Sequence, residues 1–228
     1  MFYIDPYYII LVVPTILLSM WAQFKVKSTF SHYSKIANSK GITGAQMAQY
    51  ILRVNNISDV SIKPISGSLT DHYAPGNKTL RLSTPVYGQR TVSAIGVAAH
   101  EVGHAIQHAQ GYGPLVLRST LVPVANIGSA AGPLLAAIGL IFSFSLITKI
   151  GIILFAASVL FYVVTLPVEI NASTRAVQIL RQSRQFSEEE LAGVKKVLTA
   201  AAMTYVASAL TAIASLLRLV LITRDRDD

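Results

Sequence analysis

His100, Glu101 and His104 stand in the spacing His-Glu-x-x-His, within His100-Glu101-Val102-Gly103-His104. On a helix, positions i and i+4 lie one turn apart on one face. Two imidazoles so placed can hold one zinc ion from the same side, and the carboxylate beside the first ring can reach a water as general base. Zinc brings the pKa of a bound water towards neutrality and polarises a carbonyl, so the expected chemistry is hydrolysis. Residues 93–99 are small and apolar, and 91–107 are expected to form one helix that can be packed on most sides.

A catalytic zinc usually takes three protein ligands and keeps one open position. The chain has no cysteine and five histidines, so the third ligand must be His, Asp or Glu. His108 lies on the same helix but about 12 Å from His100 along the axis, too far for one ion. The metzincin pattern is excluded, because Gln107 and Gln110 occupy the positions where it needs a glycine and a histidine. Among the acids, Glu188, Glu189 and Glu190 follow Ser187 and are explained by a capping box and by the helix dipole. Asp59, Asp71 and Glu169 remain. Glu169 closes an apolar run, and an ionisable residue at a membrane boundary is a functional candidate.

The elements that must position these groups are mostly membrane helices. Of 228 residues, 52% are hydrophobic and only 13% charged, about half the charged share of a soluble domain. A bilayer core of about 30 Å needs roughly 20 apolar residues of helix. Residues 4–24, 121–143, 150–168 and 200–222 meet that need, with a tight turn expected at 145–149. The first is read as a retained anchor, since its start is acidic and its apolar run too long for a secretory signal. The segments are therefore an anchor (1–24), a zincin-like domain (25–118), two spans (119–168), a third-ligand segment with an amphipathic helix (169–199), and a last span with a charged tail (200–228). Within the domain, 45–54 reads as a capped amphipathic helix and 60–65 as a short strand. Residues 69–73 and 78–83 read as a hairpin turning at Ala74-Pro75-Gly76-Asn77.

With four spans, residues 25–118 and 169–199 share one face of the membrane. That face carries 15 of the 19 Lys and Arg; the other holds Lys149, Arg218, Arg224 and Arg226. The positive-inside rule puts the polar domain in the cytoplasm. Glu169, two crossings after His104, then lies on the same side as the histidines. The net charge of +8 is accounted for by this orienting role, and no nucleic-acid motif accompanies it.

The chain resembles the bacterial membrane neutral zinc metallopeptidases of the YugP type. The resemblance is carried by Leu69-Thr70-Asp71-His72-Tyr73, Lys78-Thr79-Leu80-Arg81-Leu82-Ser83, Ala98-Ala99-His100-Glu101-Val102-Gly103-His104-Ala105-Ile106-Gln107 and Pro167-Val168-Glu169. It covers nearly the whole chain. It implies a multi-pass membrane peptidase of gluzincin logic, with one catalytic Zn2+ on His100, His104 and Glu169 and with Glu101 as acid/base. In gluzincins a carboxylate one turn after the third ligand often orients a zinc-bound histidine. Here Ser173 holds that position, and Asn171 lies two residues after Glu169.

Other residues are candidates for lesser roles. The strand before the zinc helix commonly pairs with extended substrate, which nominates 78–83. His72 or Tyr73 could donate to the oxyanion of a tetrahedral intermediate. Arg175 could bind a substrate carboxylate or pair with Glu169. The expected fold is a mainly α multi-pass membrane protein of about four transmembrane helices, with a small α+β domain containing a β-hairpin and the His-Glu-x-x-His helix. The expected function is an integral-membrane zinc endopeptidase acting on peptide or membrane-protein substrates at the cytoplasmic face. Its rivals are an intramembrane protease of the site-2 type and a non-catalytic zinc-binding scaffold.

Overall fold

The computed structural model describes residues 5–227; the ends of the expected anchor and tail, residues 1–4 and 228, lie outside the described residues. The chain is a multi-pass helical membrane protein with a small mixed region. A π-helical turn at Tyr8–Val12 runs into α1 (Val13–Tyr33). Then follow α2 (Gly44–Val54), β1 (Ser61–Ile65), β2 (His72–Ala74), β3 (Thr79–Ser83), α3 (Thr84–Tyr87) and α4 (Val92–Ala109). Three long helices complete the chain: α5 (Gly113–Ile141), α6 (Ser145–Gln182) and α7 (Glu188–Asp227). Among the described residues four helices are long and apolar enough to cross a membrane: Tyr8–Tyr33, Gly113–Ile141, Ser145–Gln182 and Glu188–Arg226. The turn between the middle two falls at Phe142–Phe144, slightly earlier than the sequence suggests. Ser143 takes a left-handed conformation there, and Lys149 lies inside α6.

The residues sort into two compact units. One comprises the chain up to Gln23, Val116–Pro167 and the chain from Thr204. Its outward surface is apolar: Ile127, Leu134 and Ile153 are 61%, 61% and 69% exposed. Aliphatic side chains left so bare on consecutive helices suit lipid rather than water. Inside, α5 and α6 touch through glycines. A Cβ on Gly128 would lie 2.1 Å from the Leu154 carbonyl oxygen, so only glycine lets the backbones meet there. Arg218 grips the Asp5 carboxylate through Nε and Nη2, at 3.0 and 2.5 Å from Oδ2, and lies over the ring of Tyr8.

The other unit comprises Phe24–Leu115 and Val168–Met203. α2 starts on a capping box: Thr43 accepts from the Gln46 amide, and Gln46 accepts from the Thr43 amide. Its apolar face, Met47, Ala48, Ile51 and Leu52, is buried. The core joins these residues to Leu80 and Leu82 of β3, to Ile95, Ala99 and Val102 of α4, and to Ala176, Leu180, Val194 and Leu198. Each large aliphatic group buried here contributes about 1.5–3 kcal/mol.

The sheet has the order β1-β3-β2. β3 pairs in parallel with β1, from Ser61 opposite Thr79 to Ile65 opposite Ser83. It pairs antiparallel with β2, with His72 opposite Arg81 and Tyr73 opposite Leu80. The hairpin and the β1 strand agree with the sequence reading. The expectation that 78–83 takes substrate does not hold: β3 is the middle strand, and its hydrogen-bonding edges go to β1 and β2. The strand next to α4 with an open edge is β2.

A candidate metal centre on α4 and α6

α4 begins at Thr91, whose side chain accepts from the Ala94 amide and satisfies one of the free N–H groups of the first turn. The helix is buried along nearly its whole length. Its small residues make this possible. Gly103, inside the His-Glu-x-x-His motif, is a point of close approach to α6: a Cβ there would lie 2.8 Å from the Ala172 carbonyl oxygen. Ala172 is flanked on α6 by Glu169, Asn171 and Ser173, and this backbone contact delivers their side chains to the histidines.

The three candidate ligands converge. Glu169 Oε2 lies 3.3 Å from His100 Nε2 and 3.4 Å from His104 Nε2. The two rings meet edge to face, with centroids 4.8 Å apart. All three residues are buried, Glu169 to within 2% of its surface. Among the described residues this is the one group of three such side chains able to hold a metal ion. The spacing fits: two atoms each about 2.0–2.1 Å from a tetrahedral zinc stand about 3.3 Å apart. The donor set also fits, being two imidazoles and a carboxylate, with both histidines offering the same nitrogen to one point.

The other nitrogen of each ring is also held. His100 Nδ1 lies 3.0 Å from Ser173 Oγ, one turn beyond Glu169 on α6. The place where gluzincins often put a carboxylate is thus filled by a hydroxyl. His104 Nδ1 lies 3.0 Å from Gln107 Oε1. Sequence reasoning found no role for Gln107 beyond its lack of a metzincin glycine. A glutamine three residues after a ligand carries no signal until its partners are known.

Glu101 is buried beside the first ligand, 8% exposed. Burial pushes its carboxyl pKa above the ordinary range, against the pull of the His100 and His104 charges. A proton is therefore held more readily there than on a solvated glutamate. For His104, burial favours the neutral ring. The bond to Glu169 and the Glu101 charge outweigh it, and its pKa is raised.

The remaining candidates have their own partners. His72 Nδ1 is 2.9 Å from the Thr70 carbonyl oxygen, and its Nε2 is 3.3 Å from Arg81 Nη1. The carbonyl requires a hydrogen on Nδ1 and the guanidinium requires a lone pair on Nε2. Both ring nitrogens of His72 are thus engaged. Tyr73 pairs its hydroxyl with His108 Nδ1 at 2.8 Å, beside a cavity of about 490 Å³ also lined by Asp59, Lys78 and Ala105. Asp71 accepts from the amide and hydroxyl of Ser83, at 2.7 and 2.8 Å, and Asp59 pairs with Lys78. Glu190 closes the capping box with Ser187 and also accepts from Ser39. Arg175 donates to Asn171 and to Gln110 rather than to Glu169.

Residues 8–224 match the family described as "Putative neutral zinc metallopeptidase". The chain belongs to this family. It is also 51% identical over 215 residues to a Bacillus subtilis (strain 168) protein named "Putative membrane protease YugP", covering 94% of this chain and 96% of that one. No solved structure matches the chain significantly. The family supplies zinc and peptide hydrolysis as the setting for the cluster of His100, His104 and Glu169.

Proposed function

We propose that the protein is an integral-membrane zinc endopeptidase with Glu101 as its acid/base. The observation that carries this reading is the meeting of Glu169 Oε2 with both Nε2 atoms of a His-Glu-x-x-His helix, at 3.3 and 3.4 Å. His100, His104 and Glu169 would hold one Zn2+, which when bound supplies a Lewis acid for the scissile carbonyl and the attacking water.

The chain's own residues do the rest. Glu101 takes the proton of the attacking water on a carboxylate oxygen. It then delivers that proton to the nitrogen of the departing amine. Ser173 holds the His100 imidazole through Nδ1. Of the two outer edges of the sheet, on β1 and β2, the β2 edge lies next to α4 and is where an extended peptide would add main-chain hydrogen bonds. The excess of Lys and Arg flanking the spans on this side supports a cytoplasmic site, and the place of Glu169 at the end of an apolar run in the sequence supports substrates that are themselves near the membrane.

The experiment is Glu101→Gln in the full-length protein, with metal content and cleavage of an unfolded test protein measured together. Zinc should stay and cleavage should fall by about 10²–10⁴-fold. Undiminished cleavage would reject the role given to Glu101. Retained zinc in a wild-type protein that cleaves nothing would favour the scaffold reading.

A further inference from the structure

Gln107 is fully buried on α4, three residues beyond His104. Hydrolysis by the proposed route does not itself call for a glutamine there. Its contacts nevertheless follow one another in a forced order. A guanidinium has hydrogens to give and no lone pair to offer. Arg175 Nε donates to Asn171 Oδ1 at 2.7 Å, so the oxygen of Asn171 must face Arg175. Gln107 Nε2 donates to that same oxygen at 3.0 Å, and to the Val168 carbonyl oxygen at 2.8 Å. Two acceptors on one side demand the NH2 end of the amide, and both its hydrogens are used. Gln107 Oε1 is therefore turned towards His104 Nδ1, at 3.0 Å. An oxygen in that position needs a hydrogen on Nδ1. A neutral imidazole protonated at Nδ1 presents a bare lone pair at Nε2, the atom that faces Glu169.

We infer that Gln107 is a positioning residue for the metal: backed by Asn171 and Arg175, it holds His104 in the tautomer and ring orientation that ligation requires. The inference rests on the reading of His104 as a ligand. The relay runs from a charge at Arg175, through two amides whose orientations it dictates, to a ring on the neighbouring helix. An apolar side chain of similar volume would fill the space of Gln107. It would leave the Nδ1–H buried with no acceptor and the ring free to turn. Such partners of a metal-bound histidine are typically worth about 10–100-fold in metal affinity.

The test uses the full-length protein in detergent and measures zinc affinity by competition with a chelator. Gln107→Leu should weaken zinc binding by about 10–100-fold. Asn171→Leu, which leaves Gln107 in place but removes its orienting oxygen, should weaken it less. Asn171→Asp keeps an oxygen for both Gln107 and Arg175 and should restore wild-type affinity. In zinc-loaded protein labelled with 15N-histidine, the slowly exchanging Nδ1–H signal of His104 should persist in Asn171→Asp and be lost in Gln107→Leu. Wild-type affinity in Gln107→Leu, or equal weakness of the Leu and Asp variants at Asn171, overturns the inference and leaves the metal site standing. A wild-type protein with no affinity for zinc overturns both. Should Gln107→Leu fail to fold, the Asn171 pair decides alone, because Asn171 is only partly buried.

Discussion

Ser173 Oγ lies 3.0 Å from Nδ1 of His100, and the two residues come from helices α6 and α4. One turn earlier on α6, Glu169 Oε2 faces Nε2 of the same ring. A single turn of helix thus takes hold of both nitrogens of one histidine. Ser173→Ala leaves the Nδ1–H without this acceptor. Zinc affinity should fall by about 10-fold or more, with the thermal midpoint of the zinc-free protein nearly unchanged. Equilibrium dialysis and a melting curve on the same preparation check the two parts.

Gly103→Ala should be far more damaging than its size suggests. In a free helix alanine gains about 1 kcal/mol over glycine. Here the added Cβ would stand 2.8 Å from the Ala172 carbonyl oxygen, a backbone atom that cannot turn aside. Overpacking of this kind costs about 1–3 kcal/mol, so the balance is a loss. Gly96→Ala is the comparison: the atoms nearest its Cβ belong to a side chain, that of Val194, from 3.1 Å, and not to backbone. Zinc content and thermal midpoint should drop together in the first variant and stay close to wild type in the second.

His72→Ala should spare catalysis. The ring is engaged by Thr70 and Arg81, and its Nε2 accepts rather than donates. Loss of a true oxyanion donor lowers kcat by about 10²–10³-fold. Cleavage by the variant should fall far short of that drop, with any change appearing in KM through a loosened hairpin. Steady-state kinetics on a fluorogenic peptide distinguishes the two.

Chelation should both stop cleavage and lower stability. A ligand bound only by the folded state adds about 2.7 kcal/mol when present at about 100 times its Kd. Removal of zinc by a chelator should therefore lower the thermal midpoint, and readdition should restore it. A Glu169→Ala protein should show neither response, because it starts without the closed set of donors.

The helices were legible because lipid imposes a length on apolar runs, and the four runs became four candidate spans. Glu169 was legible for a topological reason: two crossings return the chain to the side of His104. The motif itself carried His100, Glu101 and His104. What sequence left hidden was second-layer contact. The position of Ser173 was visible one turn after Glu169, but its bond to His100 was not, and the bonds of Gln107 to Val168 and Asn171 depend on another helix that packs at Gly103. The middle place of β3 was hidden for a related reason. Alternation and turn residues reveal the β2–β3 hairpin, while the parallel pairing of β1 depends on a connection with no local signature.

The contact of Gly103 with Ala172 also bears on which ions can enter. It sets how far apart the two backbones that carry the three side chains stand, and so how few donors meet there. Two imidazoles and one carboxylate suit an ion content with four neighbours, such as zinc. Calcium, which seeks six to eight oxygens at about 2.3–2.6 Å, finds a single carboxylate in this trio.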